Sequence, residues 1–218
     1  MAIITEHNQL SEIIIAYPNI IPLINQFNIK LGTHDKTIKT ICHENNLETD
    51  FFTSILNTYI NNDYFPEKAL KSFHANTIIN YITQTYNYYL KYSIPNIDRH
   101  FTFLISQSGD NNNLPLLKSL FDELKQDIFN LIEFDTKIWF PSFFKRNDLG
   151  NTLPSNCNNI EEKVNDLKNM FIIHLTGNYE PNLCYAVILA IINIENDIIQ
   201  NNRIRNKILV RIYNTLNI

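Results

Sequence analysis

The chain has 218 residues, 44 % of them hydrophobic, and its 18 basic and 22 acidic side chains leave a net charge of −4. That is enough apolar chain for one medium domain or two small ones, and no basic cluster is present to attract a nucleic acid or an anionic membrane, so neither is expected as a partner. Four glycines and eight prolines argue against barrels, sandwiches and doubly wound sheets, whose turns and phosphate loops need glycine; an all-α chain with short connections fits.

Further exclusions come from what the motifs lack. The longest apolar run, Tyr185 to Ile194, is half of the about 20 residues a spanning helix needs. Residues 1–9 carry charges and no apolar core of the signal type. Cys42, Cys157 and Cys184 are odd in number, widely spaced and without a CxxC, so a reducing cytoplasm is expected rather than a disulfide framework or a zinc knuckle. GxGxxG, Walker, GxSxG and HExxH motifs are absent, and no nucleophile–base pair appears, so no catalytic role is expected.

In chain order, residues 1–65 read as a small helical domain. Short helices are predicted over Gln9–Ala16, Ile20–Phe27, Lys36–Glu44 and Thr49–Asn61. Pro18, Pro22, Gly32 and the stretch 61–63 punctuate them, with Asp35 and Thr49 as expected N-caps. Residues 66–218 read as longer helices. One runs over 69–92 and ends at Ile94-Pro95; others run over 96–107, over 114–139 ending at Phe140-Pro141, over 157–175 ending at Gly177, and over 181–216. Long helices joined by one crossing loop imply an antiparallel four-helix bundle.

Seams can be counted along these helices. The last carries Val187, Ile191, Ile194, Ile198, Asn201, Arg205, Ile208 and Ile212 at spacings of four and three, the a/d pattern of a bundle core. The 114–139 helix carries Leu117, Phe121, Leu124, Ile128, Leu131, Asp135 and Ile138. The 157–175 helix carries Cys157, Ile160, Val164, Leu167, Phe171 and His174, and the first long helix Ile79, Ile82, Tyr86 and Leu90. Asp135 and Arg205 are the anomalies, because a charge in a bundle core is costly unless it is paired or binds metal.

Several stretches together give the chain a family likeness: Phe27-Asn28-Ile29 to Cys42, Tyr88-Tyr89-Leu90 to Ile94-Pro95-Asn96-Ile97, Phe121-Asp122-Glu123-Leu124 leading to Trp139-Phe140-Pro141, Ile160-Glu161-Glu162-Lys163-Val164 with Asp166-Leu167-Lys168-Asn169, and Glu195-Asn196-Asp197-Ile198. On these it resembles the iron-centre repair family, iron–sulfur cluster (di-iron) repair proteins in which a small N-terminal helical domain precedes a hemerythrin-like bundle. In that family His-x3-Glu pairs on two helices, with single His residues on others, bind two irons. Carried onto this sequence, one pair falls on Leu131 and Asp135 and the other on Asn201 and Arg205. The single histidines fall near Cys157, on Tyr86 or Asn87 with the seam favouring Tyr86, and around Ser108. The family's paired cysteines fall on Gly32 and Thr33, its later single cysteine on Cys42, and the Phe-Pro closing its last helix on Val210-Arg211.

Leucine, asparagine and arginine cannot supply the imidazoles and bridging carboxylates of a di-iron site, so the site at Tyr86, Leu131, Asp135, Cys157, Asn201 and Arg205 reads as degenerate, with no metal or cofactor expected. Arg205 is expected to fill the former cavity and pair with Asp135, a planar fork meeting a carboxylate, with Asn201, Tyr86 and Glu161 taking the remaining donors. Cys42 and Cys184 read as small buried groups, and His7, His34, His43, His74 and His100 as solvated. The tyrosines 86, 88, 89 and 92 read as packing between helix and cap, and Glu161-Glu162 as a first-turn acidic pair.

Three functions follow. One is a metal-free hemerythrin-like binding or regulatory module, which the resemblance links to nitrosative or oxidative stress and for which a protein partner or a homodimer is left open. The second is an iron-binding repair protein whose di-iron site is rebuilt from Asp135, Cys157, His174 and Glu161 or Glu162. The third is a helical scaffold or interaction protein using residues 1–65 as its partner surface.

Overall fold

The structure, a computed structural model, describes residues 3–61, 63–110, 112–144 and 158–216. It is all-helical: among these residues the β structure amounts to an isolated bridge between Gln9 and Thr37. The helices are α1 (Leu10–Ala16), α2 (Ile21–Gln26), α3 (Ile38–Glu44), α4 (Thr49–Ile60), α5 (Glu67–Ser72), α6 (Ala75–Tyr88), α7 (Ile94–Ser106), α8 (Leu114–Phe134), α9 (Phe140–Ser142), α10 (Asn158–His174), α11 (Pro181–Ile204) and α12 (Val210–Leu216). Prolines sit in first turns, as at Pro22, Pro115 and Pro181, where their missing N–H has no intrahelical partner to lose.

Two caps differ from the sequence reading. Thr37, not Asp35, caps α3: its Oγ1 accepts from the Thr40 N–H at 3.3 Å. Thr49 is the first residue of α4 rather than its cap, and Glu48 before it makes no side-chain capping bond. A threonine two residues past an aspartate brings its hydroxyl within reach of the third helical amide, and the aspartate lies too far upstream.

The larger difference concerns helix ends. Ile94-Pro95 does not end a helix: α6 passes into α7 through a π turn, Tyr89–Ser93, closed by the Ile94 N–H to Tyr89 O. A second π turn, Asp135–Trp139, joins α8 to α9, closed by Phe140 N–H to Asp135 O. A third, Arg205–Leu209, joins α11 to α12, closed by Val210 N–H to Arg205 O. Each bond spans five residues instead of four, so each turn holds one extra residue. In the first two, proline follows one residue later. Lacking an N–H and clashing with the carbonyl four residues back, it cannot continue α geometry, and the widened turn lets the helix run on.

The extra residue shifts the seam beyond it: Trp139 is buried where Ile138 was expected, and after Ile208, buried as counted, Tyr213 is buried beside the half-buried Ile212. On the first long helix Tyr89, three residues after Tyr86, is buried where Leu90 was expected, an ordinary spacing of three where four was counted. Leu90 and Ile138 are exposed instead. Upstream of the turns the counted seams hold from Val187 to Arg205 and from Leu117 to Asp135, all buried.

The chain divides into two compact units. One comprises residues 1–84 and 203–218. Its core gathers Leu10, Ile20, Leu23, Ile38, Phe52 and Ile55, each fully buried. Phe27 meets Phe52 edge-on at 4.9 Å and stacks on Tyr81 at 5.4 Å, and Tyr81 shares a hydroxyl hydrogen bond with Tyr59 at 3.1 Å. The Asn57 side chain accepts from Ile4 N–H and donates to Ile4 O, both at 2.9 Å, which ties the N-terminal segment to α4.

The other unit, residues 85–202, packs α8 against α10 and α7. Phe101 stands against Phe121 and Phe171, drawing α7, α8 and α10 around one aromatic centre. Lys163 pairs with Asp127 between α10 and α8, and Lys168 with Glu195 between α10 and α11 at 2.6 Å. Among the described residues one helix, Pro181–Asn214, is long and apolar enough by length and composition alone to cross a membrane, and 39 % of its most apolar window is buried. The short run Tyr185–Ile194, broken only by Asn193, missed it because such a window tolerates scattered polar residues.

Candidate functional site

Of the buried polar side chains inside the unit 85–202, Asp135 and Asn201 stand at site positions singled out from the sequence, while Thr85, Ser142, Glu195, Asp197, Gln200 and Asn202 do not. Asp135 is 0 % exposed and opens the second π turn. The Tyr86 hydroxyl donates to its Oδ2 at 2.7 Å. The Tyr86 ring also stacks on Phe140 with planes 9° apart, which fixes the direction of the hydroxyl. Asn87 is exposed, so of the two candidates on this helix Tyr86 is the inward one. A phenol aimed at a buried carboxylate is a strong, charge-assisted bond in a place where water cannot compete.

Asn201, 4 % exposed on α11, donates through Nδ2 to the Tyr89 hydroxyl at 3.1 Å and to Asp197 O at 2.8 Å. Tyr89 opens the first π turn. The next residue, Asn202, donates to Glu161 at 2.7 Å, joining α11 to the first turn of α10. Leu131 is buried with its apolar neighbours. Arg205 is 1 % exposed, opens the third π turn and donates to Asn206 Oδ1 at 3.4 Å. Asp135 and Arg205, expected to pair, are both buried and belong to different compact units. Cys157 lies outside the described residues.

His174 is not inside. It is exposed at the end of α10, where its carbonyl accepts from Asn113 Nδ2 at 2.8 Å. The seam count failed there because α10 ends at His174, with nothing further along to cover it. Among the described residues no three His, Cys, Asp or Glu side chains form a group that could hold a metal. Four of the other histidines, at 7, 34, 43 and 74, are exposed, and His100 is half-buried. Cys42 and Cys184 are buried; burial pushes the Cys42 thiol up to about 11 and that of Cys184 up as well. Ser108 bonds its own helix at Leu104 O, and Thr33 is buried beside Gly32, whose φ of 84° needs glycine.

The π turns carry a repeat that the sequence reading missed. Tyr89-Leu-Lys-Tyr-Ser-Ile-Pro95, Asp135-Thr-Lys-Ile-Trp-Phe-Pro141 and Arg205-Asn-Lys-Ile-Leu-Val-Arg211 align without gaps. Each starts on a buried polar residue, places an exposed lysine third and a bulky apolar residue sixth. The shared Lys and the spacing to proline were the signal. π turns are uncommon and concentrate at functional sites, and these three begin on buried polar residues, Asp135 and Arg205 being positions that the family resemblance assigns to ligands. No family model, curated protein or solved structure matches the chain.

Proposed function

We propose that the chain is a metal-free, hemerythrin-like relative of the iron-centre repair family, with a small N-terminal helical domain and a four-helix bundle, acting as a binding or regulatory module in nitrosative or oxidative stress. The observation that carries the reading is the 2.7 Å bond from Tyr86 to Asp135. It joins two of the positions that the resemblance gives to metal ligands, and it spends on a phenol a carboxylate that a cation would need. Asn201 held by Tyr89 and Asp197 adds the same logic on another helix. A buried guanidinium at Arg205 cannot ligate, since it does not lose its proton. A site rebuilt around His174 is disfavoured by that residue's exposure.

The test is elemental analysis and visible absorption of the chain expressed with added iron. Iron at background with a featureless visible spectrum is expected. About two irons per chain, with the charge-transfer bands of an oxo-bridged pair, would overturn the reading.

A further inference from the structure

We infer that the third π turn, Arg205–Leu209, is a register switch held open by the segment Tyr64–Glu67. The first two π turns are locked by Pro95 and Pro141. A return to α geometry would require those residues to donate to Lys91 O and Lys137 O, and proline has no hydrogen to give. At the equivalent place the third turn has Arg211. Its N–H could donate to Lys207 O in an unbroken α-helix, so no covalent feature keeps this turn wide.

Tertiary contacts do so instead. The guanidinium of Arg203 lies 5.2 Å from the Phe65 ring centre and donates to Thr58 O and Tyr64 O at 3.5 and 3.4 Å. Lys207, inside the turn, lies 5.0 Å from the same ring. Arg211 pairs with Glu67. One short segment thus grips the helix before, within and after the extra residue.

Both registers have a usable apolar face, and this makes the element bistable. With the turn wide, Ile208, Leu209 and Tyr213 are all buried, at 0 %, 0 % and 6 % exposure, and Ile212 is half-buried. In α geometry everything after the turn rotates by about 100°. Ile208 keeps its inward place, Ile212 takes the inward position that simple counting selects, and Tyr213 swings outward. At the second turn the same exchange would replace Trp139 by Ile138, but Pro141 blocks it. The switch does not depend on whether the chain binds metal.

Hydroxyl-radical footprinting of the full chain reads the register directly at Tyr213. Phe65→Ala and Glu67→Gln release the grip and are expected to raise Tyr213 modification at least about threefold, as local opening exposes it, with Trp139 unchanged. Arg211→Pro added to Phe65→Ala restores the lock of the other two turns and is expected to return Tyr213 to its original protection. Arg211→Pro alone is expected to leave the melting temperature intact, whereas a proline in an α register costs about 3 kcal/mol. Tyr213 protection unchanged in both release variants, or an Arg211→Pro chain that melts markedly lower, would overturn the switch.

Discussion

Replacing Tyr86 by phenylalanine removes one hydroxyl and leaves the ring on Phe140. What it leaves behind is Asp135, fully buried, short of a donor that stood at 2.7 Å. A hydrogen bond to a charged group contributes about 1.5–3 kcal/mol, and water cannot enter to replace it at a residue with no accessible surface. For a chain of this length that corresponds to a fall of roughly 3–12 °C in melting temperature. Circular dichroism on heating measures it, and Tyr92→Phe, whose side chain is exposed, is the control expected to stay within about 0.5 kcal/mol. In an Asp135→Asn background the acceptor is neutral and the bond about half as strong, so Tyr86→Phe should then cost visibly less. If Tyr86→Phe alone shifts stability no more than Tyr92→Phe does, the carboxylate is not held by the phenol and the reasoning for a self-filled site fails.

Three other outcomes follow from the same geometry. Ile138→Asp should be tolerated within about 0.5 kcal/mol, while Trp139→Ala should cost about 3–5 kcal/mol, in chemical denaturation; the reverse order would place the second turn in α register. Asp122 is raised by partial desolvation but held lower still by hydrogen bonds from Lys118 and Lys125, which leaves its carboxyl below the ordinary value. A depressed folded value means that its stabilisation is present above the unfolded value and is lost as pH falls through the folded one. Asp122→Asn should therefore flatten the acid limb of a stability–pH curve, and an unchanged limb would contradict the ion cluster. Cys42, with its thiol pushed up to about 11 by burial, should react with a thiol reagent at neutral pH only when its unit opens; fast labelling of Cys42 in the native chain, located by peptide mapping, would show that it is not enclosed.

Scarce glycine and the three–four spacing of apolar residues made the helices legible, because both report on backbone periodicity over many residues at once. The seams were legible up to Leu131, Asp135, Asn201 and Arg205 for the same reason. Beyond them the count failed at Ile138 on one helix and, after Ile208, at Ile212 on the other, because a fixed period cannot register an inserted residue. Leu90 was misplaced by a step of four from Tyr86 where the helix uses three, to Tyr89, and the Ile94-Pro95 and Phe140-Pro141 pairs were read as stops although a widened turn carries the helix through. Caps were misread where two candidates lay side by side, Asp35 and Thr37, since which hydroxyl or carboxylate reaches an amide depends on backbone angles that composition does not fix.

The third repeat separates cause from consequence among these turns. If proline alone produced them, Arg205–Leu209 would be α-helical, because Arg211 places no constraint on the backbone. What the three turns share without exception is a buried polar residue at the first position: Tyr89, Asp135 and Arg205. A polar group inside a helical core must meet its partners, and one extra residue per turn re-aims everything after it by a fraction of a turn, so that the polar residue and the apolar residues beyond it can both point inward. A buried polar side chain thus marks where each wide turn falls, and what holds it wide is proline in two cases and the Tyr64–Glu67 grip in the third. It follows that a Tyr89→Leu, Asp135→Leu chain should still keep its first two turns, and that Arg205→Leu, with the grip intact, should keep the third and leave Tyr213 protected from hydroxyl-radical modification. A Tyr213 that becomes exposed in Arg205→Leu would show that the grip at Phe65 and Glu67 does not hold the turn by itself.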